Sequence, residues 1–461
     1  MVQLSDRIKS MILRLKGLQN DPLSKSRFQT YWNSLRQDEQ FLVQFMLNKD
    51  LEKTDSLVAA NLLYTLNNEI DADVFNTLKL LGLPDSEITK DTMDSFLSTV
   101  TDQPGYVEVD GILCQNSPYA GLDPNWVELF ISYIVFQEFS NEIAPFATTP
   151  SVLNIDYGKP LSIAIMGDWG TGKYNDYGFS SPSSLVSKAI THLCPDITVH
   201  LGDVYYAGWE EQMANNLLPD FPSGSLASYT MIGNHEMFDG ANGYFKTALT
   251  HPVFTKQNNT SYFAILYSNW VIIGLDTGYY DKSFLYLNGA LDDPGQLTFI
   301  KNLNIKQDQK IVLLTHHPGM PFDGSKINDP LFSQIYAALG NRYPDHWYYG
   351  HIHNGIVYND SSAQGYYKCL SGLSPQLRCF GHAAIPIGNA FGLNDGKGNT
   401  VKGVDHYATT PMPNPNNEPS LEKRVLNGFV MITLNENKIT EQVYAVSAQS
   451  GAIPVWNNCT A

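Results

Sequence analysis

Five short polar motifs carry side chains able to bind metals or move protons. They are Gly167-Asp168-Trp169-Gly170, Gly202-Asp203-Val204-Tyr205-Tyr206, Gly233-Asn234-His235-Glu236, Thr315-His316-His317-Pro318 and Gly350-His351-Ile352-His353. Taken singly, each has an ordinary reading. An Asp after a strand caps a turn, and a tyrosine in a chain with 26 of them packs. As a series the five have a common property: each directly follows an apolar run of strand character, at Leu161–Met166, Ile197–Leu201, Tyr229–Ile232, Ile311–Leu314 and His346–Tyr349. Open α/β sheets collect ligands outside the carboxyl ends of their strands, so five such loops sharing one sheet direction converge.

The residue types suit two metal ions. Two cations a few ångströms apart need a carboxylate between them to offset their charge, and Asp203 is the natural bridge. On an extended segment His351 and His353 point the same way and can serve one metal each. Asn234 offers a neutral carbonyl oxygen, which leaves its metal a strong Lewis acid. A phenolate from Tyr206 needs a metal strong enough to lower a pKa of about 10, which points to a trivalent ion.

The spacing of apolar residues predicts the elements that hold these motifs. Helical patterns at Ser184–Leu193, Gln296–Leu303 and Leu331–Leu339 alternate with the strands, giving an α/β domain over 160–446. Ser261–Tyr267 and Trp270–Leu275 form one hairpin, and Phe429–Leu434 with Lys438–Val446 a second. Residues 1–150 read as an all-helical domain, with Ile8, Met11, Ile12, Leu15 and Leu18 at helical spacing and a buried helix over Asn125–Phe139. The stretch from Ala147 to Pro160 reads as a linker and 447–461 as a tail.

Composition excludes several classes. Of 461 residues, 43% are apolar and 16% charged, which fits a packed globular chain and not a disordered one. The net charge of −17 repels phosphate backbones, so nucleic acid is not an expected partner. The 5 cysteines are scattered and odd in number, as in reduced thiols. No apolar run reaches the roughly 18 residues of a membrane span. No secretory signal is read, so the cytoplasm is the default expectation, with export by a non-classical route as the alternative. Asn258, Asn259, Asn359 and Asn458 begin sequons that read as chance matches.

At the five motifs the chain resembles the metallophosphoesterases, and among them the purple acid phosphatases. That family carries Gly-Asp-x-Gly, Gly-Asp-x-x-Tyr, Gly-Asn-His-Asp/Glu, an apolar-x-x-His segment and Gly-His-x-His, and all five occur here in order. Most other metallophosphoesterases have Asp-x-His at the first motif, where this chain has Asp168-Trp169-Gly170. The resemblance covers Leu161 to about Val446. It implies an αββα sandwich and a ferric ion on Asp168, Tyr206 and His353. It also implies a divalent iron, zinc or manganese ion on Asn234, His316 and His351, with Asp203 bridging. His235 would face the substrate phosphate and protonate the leaving group, with Asn234 beside the substrate. Glu236 would fix the His235 ring.

The chain departs from the family in three places. Leu313 stands where the family favours Val. No histidine occurs between Gly319 and Pro330, where a second substrate histidine belongs, which leaves His317 or His382 as substitutes. The first third shows neither a signal nor a fibronectin-like sandwich. Gly167 to Tyr174 also nearly spells a P-loop, but Tyr174 replaces the Ser or Thr that would bind Mg²⁺.

The leading reading is therefore a phosphatase hydrolysing small phosphate monoesters by attack of metal-held hydroxide. A divalent-metal phosphodiesterase or nucleotidase is the alternative. A non-catalytic metal protein, with the helical first third binding a protein partner, is the third. Asp203→Asn is expected to abolish phosphate-ester hydrolysis while the circular dichroism spectrum stays native. Wild-type turnover in that variant contradicts the assignment.

Overall fold

The computed structural model describes residues 106–109, 112–115, 143–156, 158–172, 181–291, 294–320, 327–358, 375–384, 393, 403–412, 422–447 and 451–458. The chain divides into two units. One holds Met1–Gln103, Tyr119–Ile143 and Phe238–Gly240, and the other Pro104–Pro118, Ala144–Met237 and Ala241–Ala461. The architecture that follows is that of the second. Nearly all the helices expected before residue 143, and Lys173-Tyr174 of the P-loop-like stretch, lie outside the described residues.

Two sheets are built from fourteen strands. In chain order these are β1 (Ser151–Ile155), β2 (Leu161–Met166), β3 (Ile197–His200), β4 (Ala227–Thr230), β5 (Phe263–Tyr267), β6 (Trp270–Gly274), β7 (Lys310–Thr315), β8 (His346–Tyr349), β9 (Gly355–Tyr358), β10 (Gln376–Phe380), β11 (Val404–Tyr407), β12 (Gly428–Asn435), β13 (Lys438–Val446) and β14 (Ala452–Asn457). The six-stranded sheet has the order β14-β13-β12-β2-β3-β4, and the eight-stranded sheet β11-β9-β10-β8-β7-β6-β5-β1. Three longer helices are α1 (Pro182–Leu193), α2 (Pro294–Asn302) and α3 (Asp329–Ala338).

Strand periodicity explains the layering. Successive side chains of a strand face opposite ways. In the eight-stranded sheet Ile272, Val312, Leu314 and Tyr348 point inward, onto Ile163, Ile165, Val199 and Ile432 of the other sheet. Their sequence neighbours Ile273, Ile311, Leu313 and Trp347 point outward, onto Ile300 of α2 and Leu331, Phe332 and Ile335 of α3. On the far side α1 lies on β13 and β14. Its start is fixed by Pro182 in the first turn and by the Ser181 hydroxyl, which accepts the Ser184 amide; it stops where Cys194 turns left-handed.

The two expected hairpins form, as β5–β6 around Ser268-Asn269 and as β12–β13. Three stretches differ from the sequence reading. Within the first third, read as all-helical, Tyr106–Val109 and Ile112–Gln115 form an antiparallel ribbon that lies against Glu422–Val425 and β13. β1 runs inside the stretch read as a linker and pairs in parallel with β5. β14 runs inside the stretch read as a tail and pairs with β13. Edge strands such as β1, whose side chains are half-exposed or exposed, carry a weak apolar signal, and Pro454 masks the second. None of the described helices is long and apolar enough to cross a membrane.

A buried ion pair ties the sheets together. Arg378 of β10 donates to both carboxylate oxygens of Glu441 on β13, at 2.9 and 3.0 Å, and the Tyr348 hydroxyl adds a 2.6 Å bond. Burial pushes the Glu441 carboxyl up, but the Arg378 guanidinium outweighs it and holds the group below its ordinary 4.5. A carboxyl with a depressed folded pKa stabilises the fold above its unfolded value and loses that contribution as pH falls. Glu441→Gln is expected to cost about 3–5 kcal/mol at neutral pH, because it strands a buried guanidinium. The gap between variant and wild type in thermal melts should narrow as the pH is taken below 4.5. A gap that does not change with pH contradicts the pairing.

Candidate metal centre

Strand register brings the motifs together. β2, β3 and β4 are parallel neighbours with Met166, His200 and Thr230 side by side. Asp168, Asp203 and Asn234 follow within a few residues. In the other sheet Thr315 and Tyr349 lie side by side on parallel β7 and β8, one residue before His316 and two before His351. The convergence therefore takes three loops from one sheet and two from the other, where the sequence argument used one sheet direction.

Two ligand groups result. In the first, Asp168, Asp203 and His353 each bring a donor atom within 4.8 Å of the others. His353 Nε2 lies 3.1 Å from Asp168 Oδ1. In the second, Asn234 Oδ1, His316 Nε2 and His351 Nδ1 form a triangle with edges of 3.0, 3.0 and 3.2 Å. Asp203 Oδ1 stands 3.3 Å from the same His316 Nε2. Asp203, a member of the first group, thus reaches His316 of the second. Donors at 2.0–2.1 Å from a tetrahedral ion stand about 3.3 Å apart, so these edges fit one.

The donor chemistry also demands positive charge. The His316 Nδ1–H donates to the Leu201 carbonyl at 3.0 Å, which turns Nε2 toward Asn234, His351 and Asp203. All three facing atoms are acceptors or can be. Burial pushes the His316 imidazole down, but Asp203 outweighs it and lifts it to about 9. A proton or a metal cation at Nε2 would suit this set of acceptors. Burial raises the Asp203 carboxyl, and His235 and His316 overcome this and hold it well below the carboxylate range. His351 is pushed well down by burial and by the neighbouring His317 and His316, which keeps it a neutral donor.

The backbone at the site is unusual. Asp168, Asp203, His351 and His353 all have positive φ, between 54 and 73°. His351 and His353 therefore diverge from a turn and not from an extended segment, yet each reaches its expected group. Gly202 has φ +109°, and a Cβ at Gly233 would stand on Asp203 Oδ1 and 2.8 Å from the His316 ring.

The phenol on the first group belongs to Tyr205, where the sequence reading put Tyr206. Tyr205 OH donates to Asp168 Oδ1 at 3.1 Å and lies 3.0 Å from His353 Nε2. Its amide is bonded to the Gly170 carbonyl and its carbonyl to the Asn216 amide, and this anchors the ring inward. Burial first, then Asp168 and Asp203, push the Tyr205 phenol well above its ordinary value. Tyr206 instead supplies its carbonyl to the His235 Nδ1–H at 2.6 Å. That bond holds the His235 ring, with Nε2 3.7 Å from Asp203 Oδ2, a role the sequence reading gave to Glu236. The Glu236 carboxylate accepts the amides of Gly233, Val204 and Asp203, at 2.6, 2.7 and 3.2 Å.

The two substitutes for the missing histidine both pack against other partners. The His317 Nε2–H donates to the Tyr286 carbonyl at 2.7 Å, and Nδ1 accepts from Thr277 at 2.9 Å. Its ring packs on His351 as a support. The His382 Nε2 lies against Gly355 and Gly428, and burial holds that imidazole near 3. Of the residues missed from sequence, Tyr205 sits inside a recognised motif. Thr277, Tyr286 and Leu201 act through a hydroxyl or a carbonyl that sequence does not flag.

Residues 161–355 match the family model of the calcineurin-like phosphoesterases. No curated protein matches the chain. Among solved structures it is similar to the purple acid phosphatase PPD1 from yellow lupin (Lupinus luteus) seeds, at 16% identity and a TM-score of 0.39 over 64% of this chain and 52% of that one. The chain thus spans about half of the lupin protein. GAP50, the anchor in the inner membrane complex of Plasmodium, gives 15% identity and a TM-score of 0.39 over 65% of this chain and 88% of that one. PhoD gives 13% and 0.38 over 68% and 69%.

Gly233→Ala is expected to push the Asp203 carboxylate aside. Metal content measured by elemental analysis should fall below that of wild type, and ester hydrolysis at least about tenfold, the lower bound for lost metal-site support. Full metal content in Gly233→Ala contradicts the geometry.

Proposed function

We propose that the protein is a dinuclear-metal phosphatase acting on small phosphate monoesters. The observation that carries this reading is the place of Asp203 between the two ligand groups, in one of them and 3.3 Å from His316 of the other. Asp168, Tyr205 and His353 would hold a ferric ion, and Asn234, His316 and His351 a divalent iron, zinc or manganese ion. Bound there, the two cations would activate a water molecule and neutralise charge growing on the phosphoryl oxygens. The His235 imidazole, kept neutral by burial, presents Nε2 beside Asp203. It can take up a proton and pass it to the leaving oxygen. Asp203, held ionised, keeps that ring oriented through its side chain while it accepts the His235 amide at 3.1 Å.

One observation favours a second reading, with two divalent ions and a diester or nucleotide substrate. The Tyr205 phenol is well placed to stay protonated and donate to Asp168, and a divalent ion is a weaker force against that proton. Relative rates on monoester and diester model substrates separate the two readings.

Protein purified without added metal should hold two metals per chain, at least one of them iron, and show a visible phenolate-to-iron band. Tyr205→Phe should lose that band and Tyr206→Phe keep it. Two metals without iron, and faster diester than monoester cleavage, favour the second reading. The band lost in Tyr206→Phe alone returns the ligand role to Tyr206.

A further inference from the structure

Glu236 is fully buried, and its carboxylate accepts three backbone amides. Two of those amides belong to the loop after β3 and one to the loop after β4. The Gly233 bond, three residues back, is the backward half of a capping box and closes the single turn Asn234–Met237. The other two reach across to Asp203 and Val204. In the opposite direction, Asp203 Oδ1 accepts the amide of His235. Each loop thus lends a carboxylate to the backbone of the other, and the three bonds form a reciprocal clasp.

The clasp bears on the metal centre through the bridging residue. Asp203 stands at φ +73°, a conformation that a residue with a Cβ rarely adopts unaided. Its own amide is one of the three held by Glu236, so the carboxylate fixes the backbone from which the bridge projects. The adjacent loop carries Asn234, and the same oxygen that holds Asp203 holds Gly233 just before it. One side chain therefore sets the distance between a ligand of the second group and Asp203.

We propose that Glu236 is a positioning residue that holds Asp203 and Asn234 in register and so sets metal affinity at the shared position. The inference rests on the proposed metal centre. A glutamine at this position keeps one acceptor oxygen and turns an amide donor toward N–H groups. An aspartate is about one methylene too short to span both loops.

The test titrates metal into apo-protein, with Mn²⁺ and Zn²⁺ as probes, by calorimetry. Wild type, Glu236→Gln and Glu236→Asp are compared, each with a thermal melt and steady-state kinetics on a monoester. Loss of a support of this kind weakens metal binding about 10–100-fold. We expect that loss in both variants, with kcat reduced, KM little changed, and partial recovery of kcat at saturating metal. Wild-type metal affinity in a variant whose only change is a lower melting temperature overturns the proposal, since a merely structural strut would behave so. Failure of both variants to fold overturns it as well. Failure of the wild type to bind two metals refutes the metal centre itself and is distinguished by that control.

Discussion

The constraint on which the rest depends is the carboxylate of Asp203. It must face His316 from one sheet and the Asp168–His353 pair from both sheets at once. A side chain of two rotatable bonds cannot do this unless the backbone delivers it almost in place. The parallel run β2-β3-β4 does so by setting three strand ends side by side, and the β7-β8 pair closes the space from the opposing sheet. The inter-sheet core is the means by which the two halves are kept at fixed separation. The Arg378–Glu441 pair pins the same two sheets within that interior.

Holding acceptors this close is unfavourable without positive charge among them. Asn234, His351 and Asp203 each bring a polar atom within 3.3 Å of His316 Nε2, and four residues of the site adopt left-handed backbone. Each such conformation costs about 1–3 kcal/mol. The surrounding bonds enforce it: Leu201 orients His316, Tyr206 orients His235, and Thr277 with Tyr286 fixes His317 behind His351. A cation bound among these donors would compensate such strain and would couple its binding to the stability of the loops.

Much of this was legible in the sequence because the signal repeats. An apolar run ending in a polar motif is ambiguous once and informative five times, and the strands β2, β3, β7 and β8 fall where the runs predict. His351 and His353 reach separate groups, though through left-handed turns and not through strand alternation. What the sequence left ambiguous was decided by backbone bonds. Tyr205 and Tyr206 are chemically identical neighbours, and backbone contacts to Gly170 and Asn216 anchor the first of them. Glu236 reads as a partner for the adjacent histidine, yet buried amides without other acceptors claim it. β1 and β14 were hidden because edge strands need not be strongly apolar.

The central claim is that one carboxylate serves two cations. Anomalous diffraction from crystals of the protein as purified, recorded at the edges of iron, zinc and manganese, tests it most directly. Two peaks flanking Asp203 are expected, one against Asp168, Tyr205 and His353 and the other against Asn234, His316 and His351. A single peak, or two peaks of which only one touches Asp203, contradicts it.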